Sequence, residues 1–113
     1  MPNAIARTVT IASGASLSDA VELDGSALVG IVMPSAWTAA NLTIQASHND
    51  STFNNVYDEL GTEKTIVAST SRYIVLNPAD FAGSDSIKVR SGTSGTAVNQ
   101  AADRSVILVL LPL

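Results

Sequence analysis

The sequence predicts an all-β protein: a single-domain antiparallel β-sandwich of jelly-roll type with about eight short strands. The chain has 113 residues, the length of one domain, so residues 1–113 are interpreted as one unit. Valine, isoleucine and threonine number 11, 8 and 10, and such branched side chains fit a pleated sheet because their stiff χ1 angles cost little there. Turn residues recur roughly every ten positions, which is typical of many short strands.

Segments with strand character alternate with these turns along the whole chain. They are 7–12, 20–23, 27–33, 41–47, 54–58, 65–68, 73–76, 86–91 and 105–111. In 86–91 apolar residues alternate with Lys88 and Arg90, so Ile87 and Val89 are expected to face the core. No helix-length amphipathic period separates the strands. A jelly roll and an immunoglobulin-like sandwich share these periodicities, so the strand order stays open.

Composition excludes several classes of protein. Ten acidic residues against six basic ones give a net charge of −4, so the basic surface of a nucleic-acid-binding protein or of a polybasic membrane-binding segment is missing. The chain has no cysteine for a disulfide, a thiolate nucleophile or a zinc site. One histidine cannot form a histidine pair around a metal. We therefore expect no cofactor, no metal, and no nucleic-acid or membrane partner.

The chain ends carry no recognisable targeting segment. The opening run Met1-Pro2-Asn3-Ala4 lacks the charged start of a signal peptide, and no apolar stretch of the required length follows it. The most apolar run extends from Val106 to Leu111, far short of the roughly 20 residues of a membrane-spanning helix. We expect this run to form a strand buried on both faces or packed against a neighbour, in a soluble protein made in a cytoplasm.

No residue pattern typical of an enzyme is present. His48 lies in a polar turn and is interpreted as an exposed turn residue rather than a catalytic base. Asp58, Glu59 and Glu63 surround one loop and resemble the paired carboxylates of a glycosidase, but acidic loops between strands are usually only solvated. The chain is therefore predicted not to be an enzyme, with a hydrolase as the weakest alternative.

Two loops raise the question of a bound ion. Asp50, Asp58, Glu59 and Glu63 have the oxygen ligands that calcium prefers, although they lack EF-hand spacing, and a polar loop is the simpler interpretation. The glycine-rich segment 92–96 lacks the lysine and the following helix of a phosphate-binding loop. It is interpreted as a flexible connection between strands.

The five aromatic residues divide into two groups. Phe53, Tyr57, Tyr73 and Phe81 are spaced like the core anchors of a sandwich, so all four are expected to be buried. Trp37 lies in a segment that connects two strands. It either caps one end of the core or serves as an interface anchor, a role in which tryptophan is enriched.

Part of the chain resembles the discoidin-like (galactose-binding-like) jelly rolls. The segment 42–58 matches their strand, turn and apolar-Tyr-Asp strand, Arg72-Tyr73-Ile74-Val75-Leu76 matches a later strand, and Gly83 and the segment 87–92 match the glycine-bounded strand that follows. The resemblance implies an architecture and not an activity. The ligand loops of that fold are not matched, and the turn 49–51 lacks the usual glycine.

The whole chain also resembles a family of small proteins encoded among the structural genes of tailed bacteriophages. The segments that carry this resemblance are Ile11-Ala12-Ser13-Gly14-Ala15-Ser16-Leu17-Ser18, Met33-Pro34-Ser35-Ala36-Trp37-Thr38-Ala39-Ala40, Asn77-Pro78-Ala79-Asp80-Phe81-Ala82-Gly83 and Val89-Arg90-Ser91-Gly92-Thr93-Ser94-Gly95-Thr96. The resemblance implies a component of the virion, made in the cytoplasm of the bacterial host. It carries over no catalytic or binding residue.

These observations favour a capsid decoration protein that packs on the major capsid protein or on another virion protein, as a homo-oligomer or in many copies. The alternatives are a head–tail or tail surface component and a carbohydrate-binding module. The residues expected at the interface are Ile5, Trp37, Arg90, Arg104, Leu111 and Leu113. The two arginines are expected to pair with acidic groups of a partner or to be ordinary surface charges.

Overall fold

The computed structural model describes residues 3–112 and confirms the predicted all-β fold. Its strands are β1 (Ile5–Ile11), β2 (Val21–Glu22), β3 (Ser26–Val32), β4 (Leu42–Ser47), β5 (Asn54–Asn55), β6 (Thr65–Ile66), β7 (Tyr73–Val75), β8 (Ser86–Ser91) and β9 (Arg104–Pro112). Turns, bends and irregular segments connect them. Over residues 3–112, no helix is long and apolar enough to cross a membrane.

The strands form two antiparallel sheets that pack face to face. The first sheet has the strand order β1-β9-β3-β7, and the second has the order β2-β8-β4-β5, with β6 also paired to β4. Buried side chains from both sheets form one core between them. The chain is therefore a β-sandwich, as predicted.

The pairing of the strands is that of a jelly roll. β1 pairs with β9, β2 with β8, β3 with β7 and β4 with β5, so the chain folds as one long hairpin whose arms lie side by side. The hairpin wraps over itself, because β9 also pairs with β3 and β8 also pairs with β4. This arrangement separates the jelly roll from the immunoglobulin-like sandwich, the alternative that the periodicities left open.

The short strands β5 and β6 share one position in the second sheet. β5 pairs with the second half of β4 and β6 pairs with its first half, so both follow the same edge. Between them the chain leaves the sheet as a small hairpin over 56–64, in which Tyr57 bridges to Glu63. Counted in this way, residues 3–112 form eight strand positions, in agreement with the prediction of about eight.

Aliphatic side chains at alternate strand positions fill the core. β9 contributes Val106, Leu108 and Leu110, which are fully buried. The predicted inward positions of β8, Ile87 and Val89, are fully buried as well. Burying one such side chain stabilises a fold by roughly 1.5–3 kcal/mol, so these alternating rows hold the two sheets together.

The prediction that four aromatic residues anchor the core is only partly right. Phe81 is buried, as predicted. The prediction is wrong for Tyr57 and Tyr73, whose side chains are 51% and 61% exposed. Tyr57 belongs to the hairpin between β5 and β6, outside the sandwich, and Tyr73 occupies an outward position of β7. Phe53 is half-buried, and its ring centroid lies 4.6 Å from Lys88 Nζ.

Gly92 is required where β8 turns into the loop that follows it. Its φ of 91° lies in the left-handed region, and a Cβ atom there would lie 2.5 Å from the Thr96 carbonyl oxygen. We expect Gly92→Ala to lower the free energy of unfolding by about 2 kcal/mol or more, because a left-handed alanine is strained and the contact is with backbone that cannot move aside. Urea unfolding measures the loss.

Gly95→Ala is the matched control in the same loop. A Cβ atom added to Gly95 meets nothing within 4 Å. We expect a change of less than about 1 kcal/mol, of either sign. Equal losses in the two variants would contradict the role assigned to Gly92.

Candidate interaction surfaces

The outer face of the first sheet carries no charged residue on its strands. Residues that lie opposite one another in the sheet share a face, and successive residues of one strand alternate between faces. The outward positions are Ala6, Thr8 and Thr10 on β1, Ser105, Ile107, Val109 and Leu111 on β9, Ala27, Gly30 and Val32 on β3, and Tyr73 and Val75 on β7. We call this surface the neutral face.

Large apolar side chains of the neutral face are open to solvent. Val75 is 80% exposed, Tyr73 is 61% exposed and Ile107 is 37% exposed. Ile107, Val32 and Tyr73 are cross-strand neighbours, so the apolar surface runs across adjacent strands. Contiguous exposed apolar surface marks contact sites, and the centres of protein interfaces are poor in charge.

The apolar run from Val106 to Leu111 supplies both the core and the neutral face. β9 packs between β1 and β3, as one form of the prediction had it, but it is not buried on both faces. Val106, Leu108 and Leu110 point into the core, whereas Ile107 remains partly exposed on the other side. The apolar character of the run is therefore greater than the core requires.

The ring of Tyr73 lies over Gly30 on the neutral face. A Cβ atom built on Gly30 would lie 2.9 Å from Tyr73 Cε1, so the absence of a side chain at Gly30 lets the ring approach β3 closely. The sequence does not place this tyrosine, because Tyr73, Ile74 and Val75 are all apolar enough to face inward. Only the pairing of β7 with β3 shows which of them does.

The outer face of the second sheet is polar and centres on Arg90. The Arg90 side chain is 9% exposed, and its Nη1 lies 3.5 Å from Glu63 Oε2. Nη1 also donates to Thr43 Oγ1 at 3.3 Å, and Nη2 donates to Asn55 Oδ1 at 2.7 Å. The guanidinium is therefore satisfied within its own chain.

Two loops cover this guanidinium. The 56–64 hairpin supplies Glu63, whose carboxylate also accepts the backbone amide of Ser94 at 3.1 and 3.3 Å. Tyr57 Oη lies 3.4 Å from Ser94 Oγ, and Gly92 bridges to Ala97 to close the second loop. We call Arg90, Glu63 and their partners the Arg90 network. The glycine-rich loop is thus bound to a carboxylate of its own chain.

The second predicted arginine, Arg104, also binds within the chain. Its Nε donates to Gln100 Oε1 at 3.2 Å, and its Nη2 donates to Thr38 Oγ1 at 3.4 Å. Gln100 is 1% exposed, and its Nε2 donates to the carbonyl of Thr38 and to Ser91 Oγ. No signal in the sequence pointed to Gln100, because it is surrounded by small polar residues typical of an exposed loop.

The other residues predicted at an interface lie in different places. Trp37 is half-buried against the core and donates Nε1–H to the Ala40 carbonyl at 3.0 Å, which favours the core-capping alternative. Ile5 is half-buried against the core at the start of β1. Leu111 is half-buried on the neutral face. Leu113 lies outside the described residues, and the interface roles of all four stay predictions.

The acidic residues considered for calcium do not form a group. Asp58 Oδ1 accepts the backbone amides of Leu60 and Thr62, and so caps its own hairpin. Glu63 forms an ion pair with Arg90. Over residues 3–112, no cluster of three or more His, Cys, Asp or Glu side chains could hold a metal ion.

His48 is exposed, as predicted for a turn residue. Asn49 orders this turn, because its Oδ1 accepts the backbone amides of Ser51 and Thr52. A shallow open depression of about 250 Å³ lies beside it. Its lining residues are Ala46, Ser47, His48, Ala82, Gly83 and Ser84.

The Arg90 network makes a measurable contribution to stability. We expect Glu63→Ala to lower the free energy of unfolding by about 3 kcal/mol, because it leaves a buried guanidinium without its counter-charge and frees the Ser94 amide. The control is Asp24→Asn, which removes the charge that pairs with Arg7, whose side chain is 41% exposed against 60% for Asp24, and which keeps a residue type that tolerates the left-handed φ of 50° at this position. That change is expected to cost less than about 1 kcal/mol. Similar losses in urea unfolding would contradict the assigned role.

Comparisons with known proteins add no relative. No protein-family model matches the sequence, and neither a curated protein nor a solved structure matches the chain. Both resemblances drawn from the sequence accordingly stay predictions.

Proposed function

We propose that this chain is a non-enzymatic structural protein of a tailed-bacteriophage virion, and that it decorates the capsid by packing on the major capsid protein. In this role it is made in the bacterial cytoplasm and joins the particle in many copies. The segment resemblances to phage structural proteins favour this class of protein. The jelly-roll sandwich with its continuous core suits a domain that folds before it binds.

The neutral face carries this proposal. The chain has a net charge of −4, yet none of its charged side chains lies on the outward strand positions of the first sheet. Docking through this face buries Val75, Tyr73 and Ile107 without stripping water from an ion, and stripping water from an unpaired ion is expensive. The apolar area removed from water then drives binding.

The polar side of the sandwich complements this arrangement. Arg90 and Glu63 bind each other and hold two loops against the second sheet. A domain with a fixed polar side and an uncharged apolar side has one surface suited to a shell and one suited to solvent. A head–tail or tail surface position would use the same neutral face.

One labelling experiment tests both where the chain lies on the particle and which of its surfaces docks there. Host cells supply the wild-type chain, Val75→Lys or Leu60→Lys during infection, and purified particles are labelled with gold-coupled antibody against the chain. We expect label over the capsid faces for wild type, and at least about tenfold less for Val75→Lys, because docking would bury an unpaired ammonium group. Leu60 is 86% exposed on the 56–64 hairpin, so Leu60→Lys should label like wild type.

Other outcomes have defined meanings. Label at one vertex or on the tail would replace decoration by the head–tail or tail role. Equal label with Val75→Lys would overturn docking through the neutral face. Particles without any label would refute the assignment to the virion.

Tyr57 favours a carbohydrate-binding module as the second candidate. Its ring is 51% exposed, and its hydroxyl lies near Ser94 beside the amide and carboxylate groups of the Arg90 network. An exposed aromatic ring on a polar surface is suited to stacking against a sugar. Trp37 is less suited, since its indole is half-buried and hydrogen-bonded to the chain.

A glycan array tests the second candidate with two exposed tyrosines that lie on opposite faces. If the module binds sugars, Tyr57→Ala should weaken binding at least about tenfold, the effect of losing roughly 1.4 kcal/mol. Tyr73→Ala removes an equally exposed ring from the neutral face and should leave binding unchanged. Equal effects of the two variants, or no binding by wild type, would exclude a sugar site at Tyr57.

A further inference from the structure

The first sheet ends in a long edge strand, β1. Its seven residues, Ile5–Ile11, pair with β9 in unbroken register. Within residues 3–112, β9 is the only segment whose backbone is hydrogen-bonded to β1. The backbone N–H and C=O groups of β1 that point away from β9 therefore have no backbone partner in that range. Such an edge is a template for another strand.

β1 differs from the other sheet edges. β2 has two residues, β7 has three, and β5 and β6 are interrupted by a hairpin. Proteins commonly block exposed edges with proline, bulges or charges, but β1 contains no proline and its register has no bulge. Its single charged residue, Arg7, is bound to Asp24, with Nη2 3.3 Å from Oδ2.

We infer that β1 binds β1 of a second copy of this chain in antiparallel orientation. The pair joins two four-stranded sheets into one sheet of eight strands. Such a contact is isologous, since both copies present the same strand. It adds a contact between copies to the proposed function and does not depend on which particle carries the chain.

The residues of β1 select one register for this pairing. With its centre at Thr8, all seven residues pair, and Thr8 lies opposite Thr8 of the other copy. Arg7 then lies opposite Val9. A shift of the centre to Arg7 would shorten the pairing and set two guanidinium groups opposite each other, which is unfavourable.

The outward side chains of β1 in the two copies are also compatible with one another. In the Thr8 register, Ala6 lies opposite Thr10 of the other copy, so only small uncharged side chains meet on this side. Threonine pairs across strands are favourable neighbours. On this side the strand therefore meets its own copy without a charge conflict, and on the other side the two Arg7 residues are diagonal neighbours that each keep Asp24 as a counter-charge.

The symmetry of the pair fixes the direction of the neutral faces. A two-fold axis that relates antiparallel edge strands runs perpendicular to the joined sheet, so both neutral faces lie on the same side. One partner surface can then bind both copies at once. The second contact becomes intramolecular, which strengthens binding without any new kind of contact.

Analytical ultracentrifugation of the full chain over a concentration series tests the pairing. Wild type should form a dimer with a dissociation constant below about 1 mM, the limit of weak association. Thr8→Lys should weaken the dimer at least about tenfold, because it places two ammonium groups opposite each other. Val75→Lys makes the same charge change on the same face but at the far edge, and should alter the constant less than about twofold. Circular dichroism checks that each variant folds.

Charge exchange gives a second test that is insensitive to general destabilisation. Thr8→Glu alone should weaken the dimer as Thr8→Lys does. An equal mixture of the two variants should form a mixed dimer at least about tenfold tighter than either variant alone, because lysine then lies opposite glutamate. The gain should shrink as salt is added.

Amide hydrogen exchange of wild type locates the contact directly. Alternate amides within 5–11 should become protected as the concentration rises through the dissociation constant. A chain that stays monomeric at about 1 mM, or a dimer without this protection, would overturn the inference. A dimer that Val75→Lys disrupts and Thr8→Lys does not would do so as well, since it would place the contact on the neutral face.

Failure of this inference is distinguishable from failure of the proposed function. Loss of capsid label with Val75→Lys while its dimer persists supports docking through the neutral face and leaves β1 pairing to its own test. A Thr8→Lys chain that is monomeric identifies β1 as the contact even if no particle is ever labelled.

Discussion

The position of β9 between β1 and β3 is the constraint on which the rest of this structure depends. β9 comes from the end of the described chain, and its pairing with β1 joins residues about as far apart in sequence as the fold allows. Because such non-local pairs must wait for loop closure, the first sheet cannot be completed until β9 is available to pair with β1 and β3. Val106, Leu108 and Leu110 then close the core, and the same strand turns Ile107 outward. β9 therefore contributes to both the core and the neutral face.

The two sheets treat charge in opposite ways. On the second sheet, Arg90 is buried together with Glu63, and desolvating this pair is offset by hydrogen bonds to Thr43, Asn55 and the Ser94 amide. This network fixes the 56–64 hairpin and the glycine-rich loop, because moving either one away from the sheet would leave a buried charge without its partners. On the first sheet, whose strands lie within residues 5–112, Arg7 and Arg104 occupy inward positions and the outward positions carry no charge.

Sequence patterns predicted the strands well where polar and apolar residues alternate, as in β8, because a period of two assigns the faces directly. They failed at Tyr73, since a run of apolar residues fits either face and only the pairing partner decides. Strand order could not be derived from periodicity, because it depends on which distant segments pair. Gln100 and the contact between Arg90 and Glu63 were hidden for the same reason: their partners are brought together by the topology.

The neutral face is not only uncharged but also apolar, and its apolar residues are what mark it as a contact surface. β1 meets the need for β propensity on its outward side with Thr8 and Thr10, which are compatible with water. The outward positions of β9, β3 and β7 instead carry Ile107, Val32 and Tyr73, although threonine would serve the strand equally well. The exposed parts of these side chains bury no apolar surface in the isolated domain, and they raise the risk of aggregation. A partner that covers them removes that risk. Pairing through β1 would double the surface offered to this partner on a single side.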